Sequence, residues 1–128
     1  MEYISFDDFK KMDIYKDFIK INPALGYLKI KVSGAYEAVP LKNVLITIYK
    51  DIGEFNVIFF QGVTDSNGII NNIVLPCPKE IDYIEIPEYS IYNYKAEKDG
   101  FEVMNNSFVI LSDILVSQNI NLEPIVNM

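Results

Sequence analysis

Four acidic residues in one stretch of this 128-residue chain could do chemistry as carboxylates: Glu80, Asp82, Glu85 and Glu88. Paired carboxylates can hold a cation, or act as general acid and general base in glycoside hydrolysis. Apolar residues alternate with these four, which favours a long, proline-bounded loop whose apolar side chains pack while its acids stay in solvent. The pattern therefore identifies no catalytic pair, and a carboxylate-based enzyme is the least favoured of the three functions considered.

Histidine is absent from the whole sequence. Without imidazole, the chain lacks Ser–His and Cys–His nucleophile pairs, an ordinary imidazole-ligated zinc site and the commonest general base near neutral pH. The single cysteine, Cys77, stands between two prolines with only Lys79 as a nearby cation, so a small structural filler is preferred over a reactive thiol. We predict that the protein is not an enzyme and uses no cofactor.

Residues 65–68, Asp-Ser-Asn-Gly, have the residue types of calcium-binding loops. An EF-hand, however, needs a longer series of ligands and a distal bidentate glutamate. Asn and Gly tolerate positive φ, so this segment is typical of a tight turn between two strands. We predict a turn and no metal site.

The chain carries 18 acidic and 11 basic residues, a net charge of −7. An acidic protein is repelled by the phosphates that dominate nucleic-acid affinity, and by anionic membrane surfaces. No apolar run approaches the ~20 residues of a membrane-spanning helix, and residues 1–8 lack the features of a secretory signal. We expect cytoplasmic synthesis without a signal peptide, no nucleic-acid partner and no membrane insertion.

Residues 5–20 are predicted to form one amphipathic helix, because aromatic and aliphatic residues recur there every three or four positions. Ser5 with Asp8 resembles a capping box, and Asn22-Pro23 ends the helix. Amphipathic helices usually pack on their own domain. Docking on a partner is the alternative.

From Tyr27 onward the apolar pattern has a period of two, which predicts seven strands. Their bounds are 27–33, 43–50, 56–63, 69–75, 89–98, a strand within 101–111, and 115–122. The residues predicted to face inward in the first, second and last strands are Leu28, Ile30, Val32, Val44, Ile46, Ile48, Ile120 and Leu122. Tyr92 and Tyr94 share one face, as core or as contact residues.

The third strand is unusual because its residues 57–60, Val-Ile-Phe-Phe, are apolar on both faces. A strand with one face in water should alternate between apolar and polar residues. We therefore expect something to cover its second face, either the N-terminal helix or another subunit.

The chain resembles carboxypeptidase-regulatory-like domains over residues 26–123, through motifs that mark the fold more than a function. These motifs are Gly26-Tyr-Leu-Lys-Ile-Lys-Val, Val39-Pro40, Asn43-Val44, Ile46-Thr47-Ile48, Thr64-Asp65-Ser66-Asn67-Gly68, Leu75-Pro76, Tyr94-Lys95-Ala96-Glu97, Gly100-Phe101 and Gln118-Asn119-Ile120-Asn121-Leu122. Such domains of spore-forming Firmicutes, including the non-catalytic N-terminal part of spore cortex-lytic enzyme precursors, are similar, and there too a segment like residues 15–23 precedes the first glycine.

The resemblance implies a mostly β protein: a seven-stranded transthyretin-like (prealbumin-like, Greek-key) β-sandwich with one N-terminal α-helix. Residues 1–25 would form the helix and a linker that pack on the domain or on a partner, and residues 26–128 the sandwich. Two special members of the fold are disfavoured. Related hydrolases of purine degradation use histidines, and isopeptide-crosslinked domains need core Lys and Asn or Asp, whereas Lys29, Lys31, Asn119 and Asn121 are predicted to face outward.

The resemblance also implies an accessory role without catalysis. We expect an interaction or assembly module of sporulation or cell-envelope machinery, with a protein partner, a homo-oligomer, or peptidoglycan or another glycan as ligand. The alternative is a structural subunit of a phage tail or phage-tail-like particle, and the final location would be spore, envelope or particle accordingly. The candidate interface residues are aromatic: Tyr36, Phe55, Phe59, Tyr83, Tyr89, Phe6 and Phe9.

Overall fold

The computed structural model describes residues 2–35, 38–80 and 89–126, which form a two-layer β-sandwich with a short helical segment near the N-terminus. The elements in chain order are β1 (Glu2–Ser5), α1 (Phe6–Phe9), α2 (Ile14–Ile21), β2 (Ala24–Gly34), β3 (Val39–Pro40), β4 (Leu45–Ile52), β5 (Phe55–Val63), β6 (Ile69–Cys77), β7 (Tyr89–Glu97), β8 (Met104–Leu111) and β9 (Leu115–Asn121). Across these described ranges, no helix has the length and apolar character that crossing a membrane requires.

The two layers are a five-stranded sheet, in the order β1-β5-β4-β7-β8, and a four-stranded sheet in which β2 pairs with β3, β6 and β9. Most neighbours are antiparallel, but β1 runs parallel to β5, and β9 runs parallel to β2. In β2, Leu28, Ile30 and Val32 are fully buried, while Tyr27 and Lys31 on the opposite face are exposed. The period-two pattern therefore identifies the face that each sheet turns toward the other.

The described residues contain nine strands, so the prediction of seven was too low. All seven predicted strands are present, with ends shifted by a few residues. One extra strand, β3, is only two residues long and contains Pro40, too short to create a periodic pattern. The other, β1, lies where the helix was expected to begin. Both are additions at the ends of existing sheets.

The single helix predicted over residues 5–20 is instead two helices, α1 and α2, separated by a turn. Phe9 and Phe18 are nine residues apart, and at about 100° per residue a continuous helix would point them in opposite directions. The break allows both side chains to be buried in one cluster. As the sequence indicated, Ser5 Oγ accepts a hydrogen bond from Asp8 N at 3.1 Å, and α2 ends at Ile21, before Asn22-Pro23.

The main hydrophobic core lies between the two sheets, and a second cluster lies beside it under the N-terminal segment. Phe9, Phe18 and Val57 are the buried members of this N-terminal cluster. Phe59 packs against both clusters: its ring centroid lies 4.8 Å from that of Phe6 and 5.1 Å from that of Tyr92. Phe59 thus joins the N-terminal segment to the sandwich.

A break in the pairing of β4 with β5 explains the apolar run at residues 57–60. Ile48 pairs with Phe60 and Tyr49 with Ile58, so Phe59 is an additional residue, as in a β-bulge. After the bulge the alternation resumes one residue out of step, and Phe59 and Phe60 both contact the main core. In this structure the N-terminal segment covers the side of β5 that carries Val57 and Phe59.

The two sheets approach each other closely at Gly26. A Cβ built on Gly26 would lie 2.3 Å from Ile110 Cγ2 and 2.6 Å from the backbone oxygen of Leu111. Glycine is required here because β8 of the facing sheet leaves no space for a side chain. At Gly62, by contrast, an added Cβ would meet only the ring of Phe60, at 2.8 Å.

We predict that Gly26→Ala lowers the free energy of unfolding by about 2 kcal/mol or more, since the backbone of Leu111 must move. Gly62→Ala is the matched control and should cost less, because only side-chain atoms of Phe60, and no backbone, have to shift. Urea denaturation followed by circular dichroism measures both. Equal losses for the two variants would contradict the close approach at Gly26.

Candidate functional site

Two clefts lie side by side at the end of the sandwich where β3 and the loops before β4 and β8 meet the segment after β9. The first has a volume of about 480 Å³ and the second about 460 Å³, within the usual range of ligand sites. The first cleft is lined by Gly34, Ala35, Val39, Leu41, Phe101, Asn121, Leu122, Glu123 and Pro124. The second is lined by Asn43, Leu45, Glu97, Lys98, Asp99, Gly100, Phe101, Val103 and Ile125. Phe101 belongs to both, and we call this site the paired cleft.

Backbone hydrogen bonds hold Phe101 between the two clefts. Phe101 N donates to Lys98 O at 3.0 Å, which closes a tight turn through Gly100. Glu102 N donates to Glu123 O at 2.8 Å and Ile125 N to Gly100 O at 2.9 Å. The chain after β9 is therefore attached to both sides of Phe101, and it forms one wall of each cleft.

A buried threonine positions the loop that contributes to both clefts. Thr64 Oγ1 donates to Leu41 O at 2.7 Å and accepts from Val44 N at 2.9 Å. Leu41 lines the first cleft, and Asn43, next to Val44, lines the second. Asn43 has a φ of 60° and Ala35 in the first cleft a φ of 50°. Asparagine tolerates this left-handed region, but the backbone there is strained for Ala35, and such strain is common at functional sites.

The paired cleft combines an apolar floor with an acidic rim. Val39, Leu41 and Leu122 supply apolar surface, while Glu97, Asp99 and Glu123 supply carboxylates. Lys98 is the one basic residue on the described lining, and its Nζ donates to Lys42 O at 2.7 Å. This arrangement can bind an apolar or cationic group. Among the described lining residues, no nucleophile is paired with a base.

The predicted interface residues that the structure describes do not line the paired cleft. Phe9 is fully buried, and Phe6, Phe55 and Phe59 pack partly buried in the N-terminal cluster. Tyr89 is half-exposed at the start of β7, far along that strand from Glu97. Tyr36 and Tyr83 lie outside the described residues, although Tyr36 follows Ala35 of the first cleft in sequence. In the sequence analysis, Phe101 appeared only in the Gly100-Phe101 motif and at the start of the range 101–111 expected to contain a strand. Its position directly after a turn glycine was the available signal, because turns rarely bury aromatic side chains.

The carboxylates considered for metal binding do not form a metal site in the described part of the chain. Asp65 Oδ1 accepts hydrogen bonds from the backbone amides of Asn67 and Ile69, each at 2.9 Å, as expected for a turn. Glu80 is exposed, whereas Asp82, Glu85 and Glu88 lie outside the described residues.

The most enclosed lysine is Lys50, in contact with the main core. Its Nζ donates to Ser90 Oγ at 2.6 Å and to Ile91 O at 2.7 Å, and it lies 4.8 Å from the centre of the Tyr92 ring. Burial lowers the pKa of Lys50. A serine beside such a lysine can act as a nucleophile, but Ser90 is only 4% exposed. We interpret this contact as structural.

Tyr92 and Cys77 complete this buried polar region. The Tyr92 hydroxyl donates to Pro76 O on β6 and so links the two sheets. Burial, followed by the proximity of Cys77, raises the pKa of Tyr92. Burial also raises the pKa of the Cys77 thiol, which agrees with its interpretation as an inert filler.

Comparison with known proteins identifies the fold. No protein-family model matches the chain, and no curated protein matches it. A minor pilin of Streptococcus agalactiae has a TM-score of 0.56 at 15% identity over 82% of this chain, and 5-hydroxyisourate hydrolase of Klebsiella pneumoniae has 0.52 at 12% over 79%. The 3-chlorocatechol 1,2-dioxygenase of Rhodococcus opacus has a TM-score of 0.54 at 10% identity over 79% of this chain.

The chain spans 60% of the dioxygenase, 92% of the hydrolase and 47% of the pilin. Together with the two packed sheets, these likenesses show a mostly β, transthyretin-like sandwich. At such low identities they show the fold alone. The same fold thus occurs in two enzymes and in a pilus subunit.

We predict that Tyr92→Phe reduces the loss of stability at alkaline pH. In the unfolded chain tyrosine ionises near pH 10, whereas folded Tyr92 keeps its proton, so wild-type stability falls as the pH rises above about 10. At pH 7 the variant should be about 1 kcal/mol less stable, because one hydrogen bond is lost. Urea unfolding between pH 7 and 11.5 tests this, and parallel profiles for the two proteins would contradict it.

Proposed function

We propose that this protein is a non-enzymatic interaction module that binds its partner at the paired cleft. By the resemblance of its sequence motifs, we place it with the sporulation or cell-envelope machinery of a Firmicute, with a protein segment or a glycan such as peptidoglycan as ligand. The single observation that carries the proposal is Phe101, held between two clefts of ligand-binding size at one end of a rigid sandwich.

Several features of the cleft support binding without catalysis. The sequence has no histidine, and the described lining offers carboxylates, amides and one lysine whose Nζ is engaged by a backbone oxygen. An aromatic ring beside carboxylates and amides suits ligands that have both an apolar surface and hydrogen-bond donors. Lysine-containing peptides and the hydroxyl-bearing rings of sugars have this combination.

The fold also supports a module that serves a larger assembly. In the pilin, the part that matches this chain makes up 47% of the protein. Loops at the end of a sandwich also commonly carry binding residues. A structural subunit of a phage tail or phage-tail-like particle is the second candidate and rests on fold analogy alone.

We predict that a positive charge introduced into the cleft weakens binding and leaves the fold intact. Val39→Lys is the preferred change, because Val39 lines the first cleft and is half-exposed, and an ammonium group there disrupts the apolar surface and repels a cationic ligand group. The affinity of this variant for purified peptidoglycan, or for proteins of an envelope extract, should fall by at least about tenfold. Co-sedimentation with peptidoglycan and crosslinking followed by mass spectrometry provide the two measurements.

Phe101→Ala is the second variant, and Tyr89→Ala is the matched control, since Tyr89 is an exposed aromatic residue far along β7 from the paired cleft. Thermal unfolding confirms that each variant is folded. Unchanged binding of a folded Val39→Lys protein, or equal losses for Tyr89→Ala, would refute the paired cleft as the binding site. Loss of co-sedimentation would identify peptidoglycan as the ligand, and loss of crosslinks would identify a protein.

A further inference from the structure

The outer face of the four-stranded sheet carries an apolar patch that no described segment covers. Val74 on β6 is 45% exposed, Tyr27 on β2 is 39% exposed and Leu115 on β9 is 63% exposed. Leu25 and Ile114 beside them are 47% and 48% exposed. We call these five residues the outer-sheet patch. An exposed apolar surface that is contiguous across several strands marks an interaction site more often than scattered apolar residues do.

The strand register shows that the patch is continuous. Tyr27 pairs with Val74 on one side and with Leu115 on the other, so these three side chains form one row across three strands. Leu25 lies two residues earlier on the same face of β2, and Tyr27 N donates to Ile114 O at 3.1 Å. Directly paired residues on one sheet face have neighbouring side chains.

Opposite charges lie on either side of this row. Asp113 N donates to Leu25 O at 3.0 Å, which places the exposed Asp113 beside Leu25. Lys29 and Lys31 follow Tyr27 on the same face of β2. At about 3.3 Å per residue, Leu25 and Lys29 each lie about 7 Å from Tyr27, in opposite directions. Along the direction of β2, this face therefore carries an acidic residue beside Leu25, then the apolar row, then the two lysines.

We propose that a second copy of this chain docks on the outer-sheet patch, face to face, about a two-fold axis that passes near Tyr27. The axis lies in the plane between the two packed faces and is perpendicular to the strands. The β2 strands of the two copies therefore lie opposite each other and run antiparallel. This rotation brings the apolar row of one copy onto that of the other. It also brings Asp113 of each copy toward Lys29 of the other copy. Lys31 of that other copy lies two residues further along the same strand.

A second copy fits this face because of its charge layout. An isologous interface requires a surface that is complementary to itself after rotation, and an apolar centre with an acid and a lysine at equal distances on opposite sides meets that requirement. Aligned packing of two sheets at about 10 Å is also a common mode of sheet association. Since the paired cleft lies at the end of the sandwich, the dimer would present two paired clefts, one from each copy.

The test measures self-association of the whole chain by sedimentation equilibrium from micromolar to submillimolar concentrations. Val74→Glu should raise the dimer dissociation constant at least about tenfold, because two charges would be buried in the apolar row. Val109→Glu is the matched control: Val109 is an equally exposed valine of the other sheet, on β8, and its substitution should leave the constant unchanged.

A charge reversal tests the two-fold arrangement itself. Asp113→Lys should weaken the dimer, because three lysines then meet at each end, and adding Lys29→Glu should restore it to within about threefold of wild type. Thermal unfolding checks that every variant is folded. A monomer throughout the concentration range, a dimer insensitive to Val74→Glu, or a double reversal that restores nothing would each overturn the proposal.

Discussion

The contact of Phe59 with two hydrophobic clusters is the interaction on which the rest of this structure depends. The ring of Phe59 lies among Phe6, Phe18 and Tyr92 because a β-bulge inserts it into β5 as an additional residue. On one side it completes the core between the sheets, and on the other it provides the floor on which α1 and α2 pack. Without this ring, the N-terminal segment would keep only the edge pairing of β1 and its contacts with Val57 and neighbouring residues.

The opposite end of the molecule is organised by polar groups. There, Thr64 joins Leu41 to Val44, and backbone hydrogen bonds attach the segment after β9 to the turn that carries Phe101. These bonds hold loops from four distant parts of the sequence around one aromatic ring. The core supplies a rigid scaffold, and hydrogen bonding at its end shapes the surface, as is common in sandwich proteins whose function lies in their loops.

The strands were predictable because a half-buried sheet imposes a period of two, so Leu28, Ile46 and Ile120 could be assigned to the core from the sequence. The break between α1 and α2 was not, because it depends on where Val57 and Phe59 lie in the folded chain. The paired cleft escaped prediction for the same reason. Local patterns cannot show that Val39, Phe101 and Pro124 converge, since these residues are brought together only by the strand order.

The parallel pairing of β2 with β9 also has a consequence for how the chain folds during synthesis. Leu28 and Val116 are partners although they are 88 positions apart, and contacts between such distant residues form slowly because a long loop must close first. The ribosome tunnel therefore has to release the chain through β9 before the four-stranded sheet can be completed. Until then the edge of β2 that β9 will occupy is open, and an unpaired strand edge is a template for pairing with another molecule.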